Sequence, residues 1–133
     1  MPRLTVFLAR YIGLFTILLV GSFYLRGPAA IDATVADGTA ILMYGIVSIA
    51  VGLAIVIGHN VWRGGVLPVV VTLLGWLILA KALALVFVAP GTMSHYYQSM
   101  GYDANARLYL LPSLVLGVYL TIAGFSARAQ SGD

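Results

Sequence analysis

Four apolar runs separated by short polar breaks make up almost all of this chain. They cover residues 4–25, 38–58, 66–88 and 108–127. The second run has no charged residue and would be about 31 Å long as a helix, which matches the hydrocarbon thickness of a bilayer. The sequence therefore predicts an all-α integral membrane four-helix bundle, up-down-up-down, in a single transmembrane domain over residues 1–133.

The first run carries an arginine near its start. Its uncharged part, residues 11–25, covers only about 22 Å as a helix, so Arg10 and Arg26 are expected to extend toward opposite interfaces. A signal peptide is the alternative, since arginines precede the run and small residues follow it. We favour an uncleaved spanning helix, because Gly27-Pro28 is a natural helix stop.

A shorter amphipathic segment lies between the third and fourth runs. Its apolar and aromatic residues recur at helical spacing: Met93, Tyr96, Tyr97 and Met100. We predict a short interfacial helix over residues 93–100, capped by Thr92, ended by Gly101 and anchored by its two tyrosines. A ligand-binding lid is the alternative interpretation of this segment.

The tight turn at residues 59–65 reads HNVWRGG. His59 and Asn60 are expected to cap the second helix, and Trp62 is expected to anchor the turn at the interface. A metal site at His59 is a weaker hypothesis, because no second ligand lies at the required spacing.

Small residues form one face on each of two runs. They are Gly38, Gly45, Ser48 and Gly52 in the second run, and Ser113, Gly117, Thr121 and Gly124 in the fourth. Helices associate in lipid by close packing of such faces. The faces are expected to pack inside the bundle, and contact between subunits through one of them is an equal alternative.

Composition supports the membrane interpretation and narrows the function. The chain is 62% hydrophobic and 8% charged, with a mean hydropathy of +1.04, which leaves no room for a soluble catalytic domain. The net charge of +3 is scattered, so no nucleic-acid partner is expected. The absence of cysteine excludes disulfides and thiolate metal sites.

Basic residues in the loops predict the orientation. Arg3, Arg10, Arg63 and Arg128 fall on one side, and Arg26 and Arg107 fall on the other with Asp32, Asp37 and Asp103. Because loops rich in arginine stay in the cytoplasm, both termini are expected to be cytoplasmic.

The acidic residues do not form a catalytic pattern. They are Asp32, Asp37, Asp103 and Asp133, all in loops or the tail, so no carboxylate pair lies on a spanning helix. Hydrolase, nucleotide-binding and metalloprotease motifs are also absent. We therefore expect no enzyme activity, cofactor or metal.

Lys81 is the unusual residue of the third run. A lysine near the centre of a spanning helix costs about 2.5–3.5 kcal/mol on insertion scales, so it is expected to have polar partners. Candidates at matching depth are Ser22, Tyr24, Tyr44, Tyr109, Ser113 and the carboxylate of Asp37. Such a polar site either fixes helix register or binds an anion, a substrate headgroup or a proton.

Residues 58–83, GHNVWRGGVLPVVVTLLGWLILAKAL, resemble a signature of small four-helix inner-membrane proteins of proteobacteria. The matching positions are His59, Asn60, Trp62, Thr72, Gly75, Trp76 and Lys81, and residues 116–125 resemble the last helix of that family. Ala82 departs from the family pattern, which often has glycine there, and the loop with His95 differs. The family is uncharacterised, so the resemblance implies an inner-membrane location and the four-helix architecture, without an activity.

Two hypotheses for the function follow. The first is a non-enzymatic accessory or oligomerising protein that packs against itself or a larger membrane complex within the lipid bilayer. The second is a small transporter or channel component in which Lys81 lines an anion or proton site.

Overall fold

The computed structural model describes residues 2–101 and 105–127, without the side chains of Pro90 and Ser94. The helices in these residues are α1 (Arg3–Arg26), α2 (Pro28–Ala36), α3 (Gly38–Gly58), α4 (Val66–Phe87), α5 (Pro90–Ser99) and α6 (Ala106–Ser126). Helices α1, α3, α4 and α6 are long and apolar enough to cross a membrane, which confirms a helical protein with four candidate spans. Asp103, Arg128 and Asp133 lie outside the described residues.

Helices α1 and α6 form an antiparallel pair that is closest at glycines. A Cβ atom on Gly13 would lie 2.7 Å from the backbone nitrogen of Thr121, and one on Gly124 would lie 3.0 Å from that of Arg10. Gly117 makes a third contact, with the side chain of Thr16. The residue numbers of these contacts rise along α1 as they fall along α6. The two backbones therefore run in opposite directions, at van der Waals distance.

Helices α3 and α4 form the second antiparallel pair, joined by the turn at residues 59–65. A Cβ on Gly52 would lie 2.8 Å from the backbone nitrogen of Leu79, and one on Gly45 would lie 3.1 Å from the Cβ of Leu85. Gly75 of α4 receives the side chain of Ile55 in return. Glycine thus sets the separation of both helix pairs.

The two pairs meet in the half of the bundle that contains the α3–α4 turn. The buried side chains of this core cluster are Ala9, Ile12, Ile55, Leu67, Val71 and Leu120. They come from all four long helices, so apolar contact between the pairs is concentrated in this half.

The opposite end of the bundle is covered by the two short helices. Helix α2 packs against α1, α3, α5 and α6, although no helix is predicted there from the sequence. Gly27, with φ of +86°, turns the chain after α1, and Pro28 starts α2 at a position that needs no N–H donor. Asp37 ends α2, and its carboxylate accepts the backbone N–H of Thr39 at 2.9 Å, which caps α3.

Helix α5 begins earlier than the predicted residues 93–100. It starts at Pro90, which favours the first helical position, and Ala89 occupies the N-cap, so Thr92 lies inside the helix. Of the two tyrosines expected to be anchors, Tyr96 is exposed, whereas Tyr97 is partly buried and faces the interior. The position of α5 relative to a membrane surface remains a prediction.

The outer faces of the long helices are apolar. Leu18, Ile57 and Phe87 are 72%, 79% and 81% exposed, on three different spans. Exposed apolar side chains over the length of every span are what contact with lipid tails requires. This surface supports a multi-pass membrane protein.

The glycine contacts give a first prediction. Gly52→Ala should lower the free energy of unfolding by about 1–3 kcal/mol, because the added methyl meets the backbone of α4, which cannot rotate away. The matched control is Gly21→Ala, where a Cβ meets nothing within 4 Å; it should be neutral or stabilise by up to about 1 kcal/mol.

Unfolding of both variants in mixed detergent micelles, followed by circular dichroism, measures the difference. Equal midpoints for the two variants would show that the α3–α4 contact does not set the spacing.

Candidate functional site

A cavity of about 210 Å³ lies in the half of the bundle opposite the core cluster, and all six helices line it. We call it the Lys81 cavity. Its apolar lining includes Leu19, Val20, Phe23, Ile31, Val35, Ala40, Ile41, Leu85 and Leu110. The polar side chains in the lining are Thr34, Tyr44, Lys81, Tyr97 and Ser113, so the charged group among the described lining residues is the ammonium of Lys81.

The ammonium of Lys81 lies against an aromatic ring. Its Nζ atom is 5.4 Å from the ring centroid of Tyr44. Lys81 lies one turn before Leu85, which packs against Gly45 beside Tyr44, so the lysine stem extends toward the N-terminal end of α3. This is the direction of snorkelling away from the bilayer centre, and a cation–π contact of this kind contributes about 0.5–2 kcal/mol.

Only part of the polar group expected around Lys81 is present at the cavity. Tyr44 and Ser113 line the cavity with the lysine, and all three side chains are exposed. The cavity is therefore open, and a molecule from outside can reach its polar groups.

The other expected partners are engaged elsewhere. Ser22 donates to a carbonyl of its own helix at 2.7 Å, and the Tyr24 ring lies 5.4 Å from the guanidinium carbon of Arg107. The Tyr109 hydroxyl donates to the carbonyl that follows α5 at 3.0 Å, and Asp37 caps α3. Depth along a helix does not determine which face of the helix a residue occupies. Residues at matching depth can therefore point in different directions and contact different partners.

A second polar site, which the sequence interpretation missed, lies in the half with the core cluster. We call Thr5, His59 and Thr72 the threonine–histidine cluster. The distance from Thr5 Oγ1 to His59 Nε2 is 2.7 Å, and that from His59 Nδ1 to Thr72 Oγ1 is 3.2 Å. His59 is 2% exposed, and both threonines are fully buried. Since α1, the end of α3 and α4 each supply one residue, the cluster ties the two helix pairs together.

The hydroxyl of Thr72 is at the centre of the hydrogen bonds around His59. Thr72 Oγ1 accepts the backbone N–H of Val61 at 3.0 Å and donates to the carbonyl of Val61 at 2.9 Å or of Pro68 at 3.0 Å. The same oxygen also lies within hydrogen-bond distance of His59 Nδ1, and in either neutral tautomer one ring nitrogen donates to a threonine hydroxyl and the other accepts from one. Both ring nitrogens are thus used inside the protein.

Of the two residues expected to cap α3, His59 is its C-cap, and the side chain of Asn60 has a different partner. The backbone N–H of His59 ends α3 by donating to Ile55 at 2.7 Å, but its side chain belongs to the threonine–histidine cluster. Asn60 accepts the indole N–H of Trp62 at 2.7 Å and so orients that side chain. A signal for the cluster is present in the sequence, because Thr5, His59 and Thr72 all lie toward the same end of an up-down-up-down arrangement.

Arg10 makes a polar contact between α1 and α6. Its Nε–H donates to the carbonyl of Gly124 at 2.8 Å, and its guanidinium carbon is 4.8 Å from the ring centroid of Phe125. Carbonyls near the end of a helix carry a partial negative charge that favours a cation. The arginine is therefore held by α6, whereas the sequence interpretation sends it toward an interface.

The small-residue faces lie largely inside the bundle. Gly45 and Gly52 face α4, and Gly117, Thr121 and Gly124 face α1. Gly38 and Ser48 are partly buried, and Ser113 belongs to the Lys81 cavity. At these contacts the glycines are occupied within one chain and do not offer a surface for a second one.

Comparison with known proteins gives no relative from which a role could be transferred. No family model, curated protein or solved structure matches the chain. The function is therefore inferred from the residues of the two polar sites.

The threonine–histidine cluster gives a second prediction. Thr72→Val should lower the free energy of unfolding by about 1–3 kcal/mol, because the Nδ1 atom of His59 and the backbone N–H of Val61 lose their hydrogen-bond partner in a buried site. Thr39→Val is the matched control, since Thr39 is exposed at the start of α3.

Denaturation in mixed micelles measures both variants. If the Thr72 and Thr39 variants unfold at the same denaturant concentration, the cluster makes no contribution to joining the helix pairs.

Proposed function

We propose that this chain is a multi-pass protein of the bacterial inner membrane that crosses it four times, up-down-up-down, with cytoplasmic termini. The antiparallel contacts within both helix pairs support the alternation of spans, and the arginine bias of the loops supports the orientation. In this orientation the threonine–histidine cluster is at the cytoplasmic end, the Lys81 cavity is in the outer half, and α5 lies along the outer surface as an interfacial helix.

We also propose membership of the four-helix proteobacterial family that residues 58–83 resemble. Support comes from the physical roles of the matching residues. His59 and Thr72 form the buried cluster, Gly75 receives Ile55, and Lys81 lines the cavity. A signature made of such residues would specify this bundle, so the resemblance and the packing agree.

For the function, we propose a non-enzymatic protein that binds an anion at Lys81 and works as a small transporter or channel component. The observation that carries the proposal is the Lys81 ammonium in an open cavity, with no acidic side chain among the described residues that line it. Placing a cation on a spanning helix raises the free energy of insertion into the membrane. A bound anion offsets part of this free energy through charge-assisted hydrogen bonds to the cation. Rings of such groups select ions in membrane pathways.

The proposed anion site gives a third prediction. Proteoliposomes that contain the protein should take up at least one anion of a panel of chloride, nitrate and benzenesulfonate faster than empty liposomes do. Lys81→Met should reduce that uptake at least about tenfold, because it removes the charge while keeping the volume of the side chain.

Lys81→Arg should keep most of the uptake, and Arg63→Gln is the control for loss of a cation outside the cavity. Equal uptake by the wild type and the Lys81→Met variant would remove the role proposed for the lysine.

An accessory or oligomerising role is the second candidate, and one exposed surface favours it. Phe7, Tyr11 and Phe15 stack along the outer face of α1 with centroid distances of 6.0 and 6.2 Å. Each ring is at least half exposed. A rigid aromatic row of this kind suits a partner helix, whether from a second copy or from a larger complex.

Purification from native membranes in mild detergent tests this second role and gives a fourth prediction. A partner that docks on α1 should co-elute with the wild type, and Tyr11→Ala should reduce its recovery several-fold by removing the middle ring. Leu53→Ala, on the outer face of α3, is the control. Recovery of the wild type only as a lone monomer would contradict the accessory role.

A further inference from the structure

We propose that the ligand of the Lys81 cavity is a compact organic carboxylate, with an apolar body about the size of a benzene ring. This inference rests on the anion site proposed above and specifies the chemical class of the anion. Its physical basis is the combination of one cation, four hydroxyl-bearing side chains and an otherwise apolar wall among the described residues that line a cavity of limited volume.

The volume limits the size of the ligand. An apolar protein cavity of about 150 Å³ accepts benzene. At about 210 Å³ the Lys81 cavity has room for such a ring and a carboxylate beside it. The two long chains of a diacyl phospholipid would have to remain outside this volume, so the cavity can enclose a small molecule as a whole but not a lipid.

The polar groups define the charged end of the ligand. Lys81 supplies an ammonium, and the hydroxyl-bearing residues Tyr44 and Ser113 line the same space. An ammonium with two hydroxyl donors matches the acceptor-only oxygens of a carboxylate, which form their strongest hydrogen bonds with a cation. The Tyr44 ring beside the ammonium keeps the cation at the cavity and so fixes where the carboxylate binds.

The apolar wall defines the rest of the ligand. Phe23 and Ile31 approach from α1 and α2, and Ile41, Leu85 and Leu110 approach from three further helices. An inorganic anion would leave this apolar wall without a contact. It would also give up its hydrating water molecules in exchange for only a few hydrogen-bond donors. A hydrocarbon body that covers the wall removes apolar surface from water and makes binding of the same charge more favourable.

Binding of benzoate to the intact protein in nanodiscs tests the inference, with benzamide as the neutral analogue. Benzoate should bind the wild type, and Lys81→Met should weaken it at least tenfold while changing the affinity for benzamide less than twofold. This difference between ligands separates loss of the charge contact from a general change of the cavity and from partitioning into lipid.

Two further variants complete the experiment. Ser113→Phe should weaken both ligands, because the added ring fills the cavity without removing Lys81. Arg63→Gln should change neither, because that cation lies in the α3–α4 turn. Thermal unfolding of each variant shows that the folded protein is being compared.

Three results would overturn the inference: equal benzoate affinity in the wild type and Lys81→Met, equal loss of benzamide in Lys81→Met, or a phospholipid that co-purifies in the cavity and blocks benzoate. Lys81-dependent uptake of chloride without benzoate binding would contradict this inference and leave the proposed anion site standing. Lys81-dependent benzoate binding without uptake of any anion would support the inference and remove the transport role.

Discussion

The arrangement of this protein depends on how two closely packed helix pairs are joined to each other. Within each pair, glycine allows the backbones to approach to van der Waals distance. Gly13 of α1 packs against α6, and Gly52 of α3 packs against α4. Between the pairs, a buried histidine bridges a threonine of α1 and a threonine of α4. In lipid no hydrophobic effect drives one pair against the other, so this hydrogen-bonded bridge and the core cluster around it hold the bundle together.

Because the contacts between the helix pairs are concentrated in one half of the bundle, the other half is less tightly packed. The core cluster fills the space between the pairs near His59, while the space near α2 and α5 keeps a cavity. Lys81 extends into that space toward Tyr44. The same packing therefore produces both the rigid end and the open, cationic end, and the candidate site follows from the way the pairs are assembled.

Much of the fold is predictable from the sequence because it depends on one-dimensional patterns. Uncharged runs of bilayer length predict four spans, and glycines such as Gly45, Gly52 and Gly117 mark the faces that pack. The helix α2 is not predictable in this way, since its nine residues carry no strong amphipathic pattern and form a helix between two turns.

The sites were harder to predict, because they depend on rotation as well as depth. Tyr44 and Ser113 reach the cavity of Lys81, but Ser22 at a similar depth bonds to its own helix. Asp37, the carboxylate expected to approach the lysine, is held by the first turn of α3. The bridge from Thr5 through His59 to Thr72 joins residues up to 67 positions apart. The sequence places them toward the same end of the predicted bundle, but it does not show that their side chains meet.

The distance between His59 and Tyr44 sets how far a change in the angle between the helix pairs would displace the cavity wall. Fifteen residues separate His59 from Tyr44 along α3, which is about 22 Å of helix. If His59 is the pivot between the pairs, a change of only about 5° in their crossing angle displaces the wall at Tyr44 by about 2 Å. The width of the cavity is therefore far more sensitive to the angle between the pairs than the packing around the histidine is.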